Sequence, residues 1–185
     1  ASEVAADAIF ERITQNYRNT ADNNSIRNLI ISALNAANSL VYEKSISHES
    51  KFGMGTTCVC GIIRNNTAYI ASVGDSRGYV ICNKEIRQIT NDHTYVKILL
   101  DQGKINKDEI KYHPQRNVIT RAVGIEERIE PDYFEIDLAP SSVVLMCSDG
   151  LSGYCSDEFL LEVISGNDLE TAKKILIDYA NEQGG

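Results

Sequence analysis

No apolar run in this 185-residue chain approaches the ~20 residues that span a bilayer; the longest, Val143 to Cys147, is only a strand's length. An excess of positive charge is missing too. Eighteen Lys and Arg stand against 26 Asp and Glu, a formal charge of −8 carried by both halves. The basic face of a nucleic-acid or anionic-membrane binder is therefore not expected. No charged-then-apolar leader opens the sequence, which points to the cytoplasm. Cysteine is present but unpaired: Cys58, Cys60, Cys82, Cys147 and Cys155 are odd in number and show no CxxC spacing. Cysteines set in apolar strands behave as small hydrophobes, so reduced thiols are expected. The three histidines, His48, His93 and His113, form no HExxH, and no Cys/His cluster has zinc spacing. Repeats, low-complexity tracts and linkers are absent, so residues 1–185 read as one domain.

What is present is a chain able to bury a core, 43% hydrophobic and 24% charged. Val4, Ala5, Ala8, Ile9 and Ile13 share one face of a helix over residues 1–13. After the polar stretch 19–24, Ile26, Leu29, Ile30, Ala33, Leu34, Ala37 and Val41 recur every three or four residues, predicting a second helix antiparallel to the first. Such a pair should cover something flat. Strands are predicted at 56–63, 67–73, 79–82 and 86–89, with Asn65-Asn66 and Gly74-Asp75-Ser76 as turns. Short strands joined by tight turns imply antiparallel pairing. Residues 92–101 and 106–110 have helical character, and 112–124 lacks any clean period and should run as an ordered loop. Strands return at 133–138 and 143–147 around a Pro140-Ser141-Ser142 turn, followed by helices at 157–165 and 168–183 that close on a Gly184-Gly185 cap. The expected class is α+β, an antiparallel β-sandwich flanked by antiparallel helix pairs.

Two acids stand out by position. Asp149 follows the apolar run 143–147 and precedes Gly150; Asp75 follows Val73-Gly74 in the same way. Either could simply belong to a turn, Asp-Gly being a common turn pair and Gly74-Asp75-Ser76 a plausible hairpin. If both strand ends share a rim, the two carboxylates form an oxygen-rich pocket suited to Mg²⁺ or Mn²⁺. Arg116 and Arg121, with His113 nearby, make a local positive spot that could hold a phosphate or pair with the abundant acids. Cys58 to Arg64 has the C-x5-R spacing of a cysteine phosphatase, but apolar Val59, Ile62 and Ile63 continue a strand where an anion loop would be needed.

Five motifs in order resemble the PP2C family of metal-dependent protein serine/threonine phosphatases, most closely its compact bacterial branch. They are Gly53-Met54-Gly55-Thr56-Thr57, Val73-Gly74-Asp75-Ser76-Arg77, Thr90-Asn91-Asp92-His93, the segment from His113-Pro114-Gln115-Arg116 to Arg121-Ala122-Val123-Gly124, and Cys147-Ser148-Asp149-Gly150-Leu151. The resemblance implies a helix-flanked αββα sandwich and hydrolysis of phosphoserine and phosphothreonine proteins by a metal-activated water. It makes Asp149 a ligand of a two-metal Mg²⁺ or Mn²⁺ site and Asp75 a ligand of a more labile third ion. It makes residues 92–124 a flap beside the active site, with His113, Arg116 and Arg121 as its substrate-binding candidates. The family's ligand segments before the first helix and after the last have no counterpart between Ala1 and Gly185. The expectation is thus an incomplete domain with little activity of its own, able to associate through exposed edges. Its implied partners are phosphorylated proteins and a serine/threonine kinase sharing those substrates, with neither nucleic acid nor membrane. The alternative is a catalytically silent PP2C-like interaction module.

Overall fold

Residue alternation along one strand sets up the layers. The strands are β1 (Cys58–Arg64), β2 (Thr67–Val73), β3 (Arg77–Cys82), β4 (Glu85–Gln88), β5 (Asp132–Asp137) and β6 (Val143–Cys147). β2 turns Tyr69, Ala71 and Val73 toward one core and Ala68 and Ile70 toward another, and all five are buried. The first core lies under α1 (Ser2–Asn16) and α2 (Asn23–Ser47), where Ile26, Ile30, Ala33, Leu34, Ala37 and Val41 of the predicted stripe are wholly buried and Leu29 is partly buried. The second lies between the two sheets, where Ala68 and Ile70 meet Val80, Ile89, Phe134 and Val144. A third core joins Tyr79 and Ile81 of β3 to Leu160, Val163, Ile164 and Leu176 of α6 (Asp157–Gly166) and α7 (Leu169–Gln183). The order helix pair, sheet, sheet, helix pair is the expected α+β sandwich. The computed structural model describes residues 1–19, 22–47 and 49–184; His48, Gly185 and part of the 19–24 link lie outside the described residues. Among the described residues no helix is long and apolar enough to cross a membrane.

The sheets run β1-β2-β5 and β4-β3-β6, antiparallel throughout. Two tight hairpins build them. Asn65 and Asn66 (φ 46° and 62°) join β1 to β2, and Asn83 and Lys84 (φ 52° and 62°) join β3 to β4. Two consecutive left-handed residues match the strand twist, as asparagine tolerates well. Gly74-Asp75-Ser76 is no hairpin, contrary to one sequence expectation. Both edges of β2 are occupied by β1 and β5, so the chain leaves for the other sheet. Gly74 (φ 104°) makes the departure possible, since a Cβ there would collide with Thr57. The link containing Pro140-Ser141-Ser142 likewise passes from one sheet to the other.

Between β4 and β5 lie α3 (Tyr95–Asp101) and α4 (Lys107–Ile110). α3 starts later than periodicity suggested, because Thr94 is extended and its hydroxyl accepts from the Lys97 N–H, capping the helix. Two short elements are not evident from sequence periodicity: a 3-10 turn at Glu49–Lys51 and the one-turn helix α5 (Asp149–Ser152).

The returning end of this insertion is held by a buried amide. Asn38 on α2, only 1% exposed, accepts from the Gly124 N–H at 2.7 Å and donates to the carbonyls of Glu126 and Glu127 at 3.0 and 3.1 Å. Asn38→Ala should cost about 1–3 kcal/mol, because it removes three bonds to backbone groups, of which the one from the Gly124 N–H is buried. Urea denaturation of the two proteins measures it; a loss below the error of the extrapolation would show that the amide does not anchor this segment.

Candidate metal centre and its cleft

Strand register brings the two candidate acids together. In the antiparallel β3–β6 pair, Arg77 lies opposite Cys147. Asp75 precedes Arg77 by two residues and Asp149 follows Cys147 by two, so opposed chain directions carry both past the same end of the ladder. Both line one cleft of about 820 Å³ with Arg77, Asp92, Lys97, Lys107, Lys111 and Arg116. Asp149 opens α5, whereas Asp75 sits half-buried in the link between sheets. Burial lifts the Asp75 carboxyl above its ordinary value, and the negative charge of Asp149 lifts it further.

The rim is braced from below. Arg77 Nε donates to both oxygens of Asp92 at 3.0 and 3.1 Å, Nη2 donates to Asp92 Oδ2 at 2.6 Å, and Nη1 donates to the Tyr79 hydroxyl at 3.1 Å. Gln88 Nε2 adds a bond to Asp92 Oδ1 at 2.9 Å. A guanidinium so engaged holds the loop and is not presented to a ligand. The Thr57 and Ser76 hydroxyls meet at 2.8 Å, tying the start of β1 to the linking turn.

A second brace is built from the tetrad Thr90-Asn91-Asp92-His93, whose role local sequence does not show. His93 is buried and exchanges bonds with Gly74: its N–H donates to the Gly74 carbonyl at 3.0 Å, and its Nδ1 accepts from the Gly74 N–H at 3.1 Å. The other ring nitrogen, Nε2, is buried and lies 3.3 Å from Asp132 Oδ2 without hydrogen-bond geometry. Asp132 accepts from Asn91 Nδ2 and Arg121 Nη1, both at 3.0 Å. Burial alone would raise the Asp132 carboxyl, but the bonds from Asn91 and Arg121 and the nearness of the His93 ring outweigh it and leave the value lowered.

Of the three flap candidates, Arg116 lines the cleft with Asp75 and Asp149, and the other two lie elsewhere. Arg121 is committed to Asp132 and the Glu130 carbonyl and borders a different cleft of about 640 Å³ with Gly55, Thr57 and Thr120. His113 accepts the Gln115 N–H, faces Tyr95 at 6.4 Å between ring centres, and borders a hollow with Asn106, Asp108 and Glu109. Contacts outside a short sequence window, Arg121 with Asp132 and His113 with Tyr95, accompany both placements.

The donor chemistry suits a hard divalent cation. Two carboxylates share a rim, one is held up partly by the other's charge, and a cation between them would relieve that cost. Cys147 offers no softer alternative, as burial pushes its thiol up to about 11 and keeps it protonated near neutral pH. Among the described residues no group of three or more His, Cys, Asp or Glu could hold a metal ion; the rim presents two candidate carboxylates.

The Asp132 brace has a pH signature. A carboxyl lowered from 3.8 in the folded state contributes stability that is present above that value and is lost as pH falls through its folded-state value. Asp132→Asn should therefore cost about 1–2 kcal/mol at pH 7, and the difference from wild type should shrink below about pH 4. Urea midpoints across that range would read it; a gap that is independent of pH would disprove the charge assignment.

Residues 1–98 match the family model described as protein phosphatase 2C. The serine/threonine phosphatase stp of Listeria monocytogenes serotype 4b is 40% identical over 134 residues, 72% of this chain and 53% of that one. The serine/threonine protein phosphatase PstP of Mycobacterium tuberculosis is 36% identical over 153 residues, 83% of this chain and 30% of that one. The matched part thus spans about half or less of these curated relatives. A bacterial serine phosphatase crystal structure superposes with a TM-score of 0.89 at 33% identity, covering 97% of this chain and 72% of that one. The catalytic domain of PstP in complex with two manganese ions superposes with a TM-score of 0.82 at 28% identity, covering 98% and 76%. Through that match of sequence and architecture, the chain belongs to the protein phosphatase 2C family.

Proposed function

We propose that the Asp75–Asp149 rim is part of the metal centre of a phosphatase acting on phosphoserine and phosphothreonine in proteins, served by Mg²⁺ or Mn²⁺. The observation that carries this is the β3–β6 register, which sets the two carboxylates on one rim in a family whose named members are serine/threonine phosphatases. When bound, the metal supplies an acidified water and offsets the charge of the phosphate, which otherwise repels a nucleophile. The chain's own residues do the rest. Asp149 and Asp75 present hard oxygen ligands, the Arg77–Asp92 fork keeps their loops in place, and His93 with Asp132 fixes the backbone at Gly74. Arg116, across the same cleft, carries a guanidinium whose fork matches phosphate oxygens.

In this reading residues 1–185 are one phosphatase unit with 92–124 as its flap, and further ligands come from outside the chain. The isolated chain then has little turnover, and its open sheet edges allow association. The substrates are phosphorylated proteins shared with a serine/threonine kinase, and five free thiols accord with a reducing cytoplasm. The absence of a three-ligand group among the described residues favours a second reading, a silent interaction module.

Turnover of a phosphothreonine peptide with Mn²⁺ separates the two. The 185-residue chain should be nearly inactive and the parent domain with its flanks active. In that domain Asp149→Asn should lower turnover at least about a hundredfold, with Asp75→Asn milder. Saturating Mn²⁺, at a hundred times its dissociation constant, should stabilise the parent domain by about 2.7 kcal/mol, and Asp149→Asn should lose most of that. Normal turnover in Asp149→Asn would refute the ligand role, and an inert parent domain would favour the silent module.

A further inference from the structure

Charge is sorted by face on α4. Lys107, Ile110 and Lys111 line the cleft that holds Asp75 and Asp149, whereas Asp108 and Glu109 border the separate hollow beside Tyr112 and His113. Spacings of three and four residues put the first set on one side of a helical turn. The turn is fixed by a capping box: the Asn106 side chain accepts from the Asp108 and Glu109 N–H groups, and Glu109 Oε2 accepts from the Asn106 N–H at 2.7 Å. Glu109 is thereby committed away from the cleft lysines.

The remaining cleft cations divide cleanly. Arg77 is taken by Asp92, and Lys97 by Asp101 at 2.6 Å. Lys107, Lys111 and Arg116 form no ion pair with a described residue. The cleft is therefore bipolar. Asp75, Asp92 and Asp149 occupy the sheet side, exposed cations occupy the α4 side, and Val96, Leu100 and Ile110 lie among them. In a chain of charge −8, unpaired cations on one wall of the candidate active cleft create a local attraction for anions against a repelling background.

We propose that Lys107 and Lys111 form a subsite for Asp and Glu residues flanking the phosphorylated residue, so that this cleft selects acidic phosphoserine and phosphothreonine segments. The proposal rests on the phosphatase reading of the rim. Each exposed pair is weak and screened by salt, so the subsite biases choice among substrates rather than switching binding on.

The test uses the 185-residue chain with Mn²⁺ and a fluorescent phosphothreonine peptide in two versions, flanked by Asp and Glu or by Lys. Anisotropy at low salt should show the acidic version binding about tenfold more tightly. Raised salt should shrink the ratio. Lys107→Glu with Lys111→Glu should abolish or invert it, Lys107→Arg with Lys111→Arg should keep it, and Lys174→Glu on α7, outside the cleft, should leave it intact. An unchanged ratio in the double charge reversal, or acidic and basic versions bound alike by the wild-type chain, would overturn the subsite. A single-stranded oligonucleotide that binds as tightly as the acidic peptide, and is weakened equally by the double reversal, would overturn the assignment to peptides. Turnover by the parent domain tests the rim separately. An inert rim with an intact preference condemns only the phosphatase reading, and an active rim without preference condemns only the subsite.

Discussion

The pairing of β3 with β6 is the constraint on which the site depends. Arg77 opposite Cys147 is what places Asp75 and Asp149 at one end of the ladder. A slip of two residues would carry one acid about 7 Å along the strand, and a slip of one would turn its neighbours to the wrong face. The register is held from both sides. Tyr79 and Ile81 must face α6 and α7 while Val80 faces the other sheet, and the two-residue turn at Asn83-Lys84 fixes β4 against β3.

Around that ladder, loops are made rigid by polar groups rather than by packing. His93 answers both backbone groups of Gly74, Asp132 gathers Asn91, His93 and Arg121, and Asn38 satisfies three backbone atoms at the far end of the insertion. Paired strand-like bridges at Thr56–Val123 and Thr94–Ile119 complete the tether. Loops that carry function on a sandwich need such anchors, because they lack apolar surface to bury. The insertion between β4 and β5 is therefore held at both ends, and the acidic rim and the α4 lysines face a cleft with firm walls.

The electrostatics of the cleft run against folding and in favour of binding. Asp75 is half-buried beside another carboxylate, and its raised value records the strain. Arg77, a cation on the same strand, is bonded to Asp92 and offsets the charge at Asp75 only in part. An arrangement that leaves two carboxylates facing each other fits a ligand-binding site better than a structural ion pair. Such local frustration is what the metal-dependent chemistry of the proposed function would use.

Much of the fold was legible in the sequence. Every long helix, all six strands and the Asn65-Asn66 hairpin turn have local causes: an apolar stripe, a β-branched run, a residue that tolerates positive φ. The acids at strand ends were legible as candidates for the same reason. Which strands pair was not. The turn at Gly74-Asp75-Ser76 resembles a hairpin locally, and only the occupied edges of β2 send β3 to the other sheet. The fates of Arg121 and His113, the brace at His93 and the division of charge across α4 were likewise decided by tertiary contacts, since each depends on partners far away in sequence or on which face a short helix turns to the cleft. Local sequence determines conformations through sterics and hydrogen bonds within a few residues; it is burial and the competition for strand edges that choose which of those residues meet.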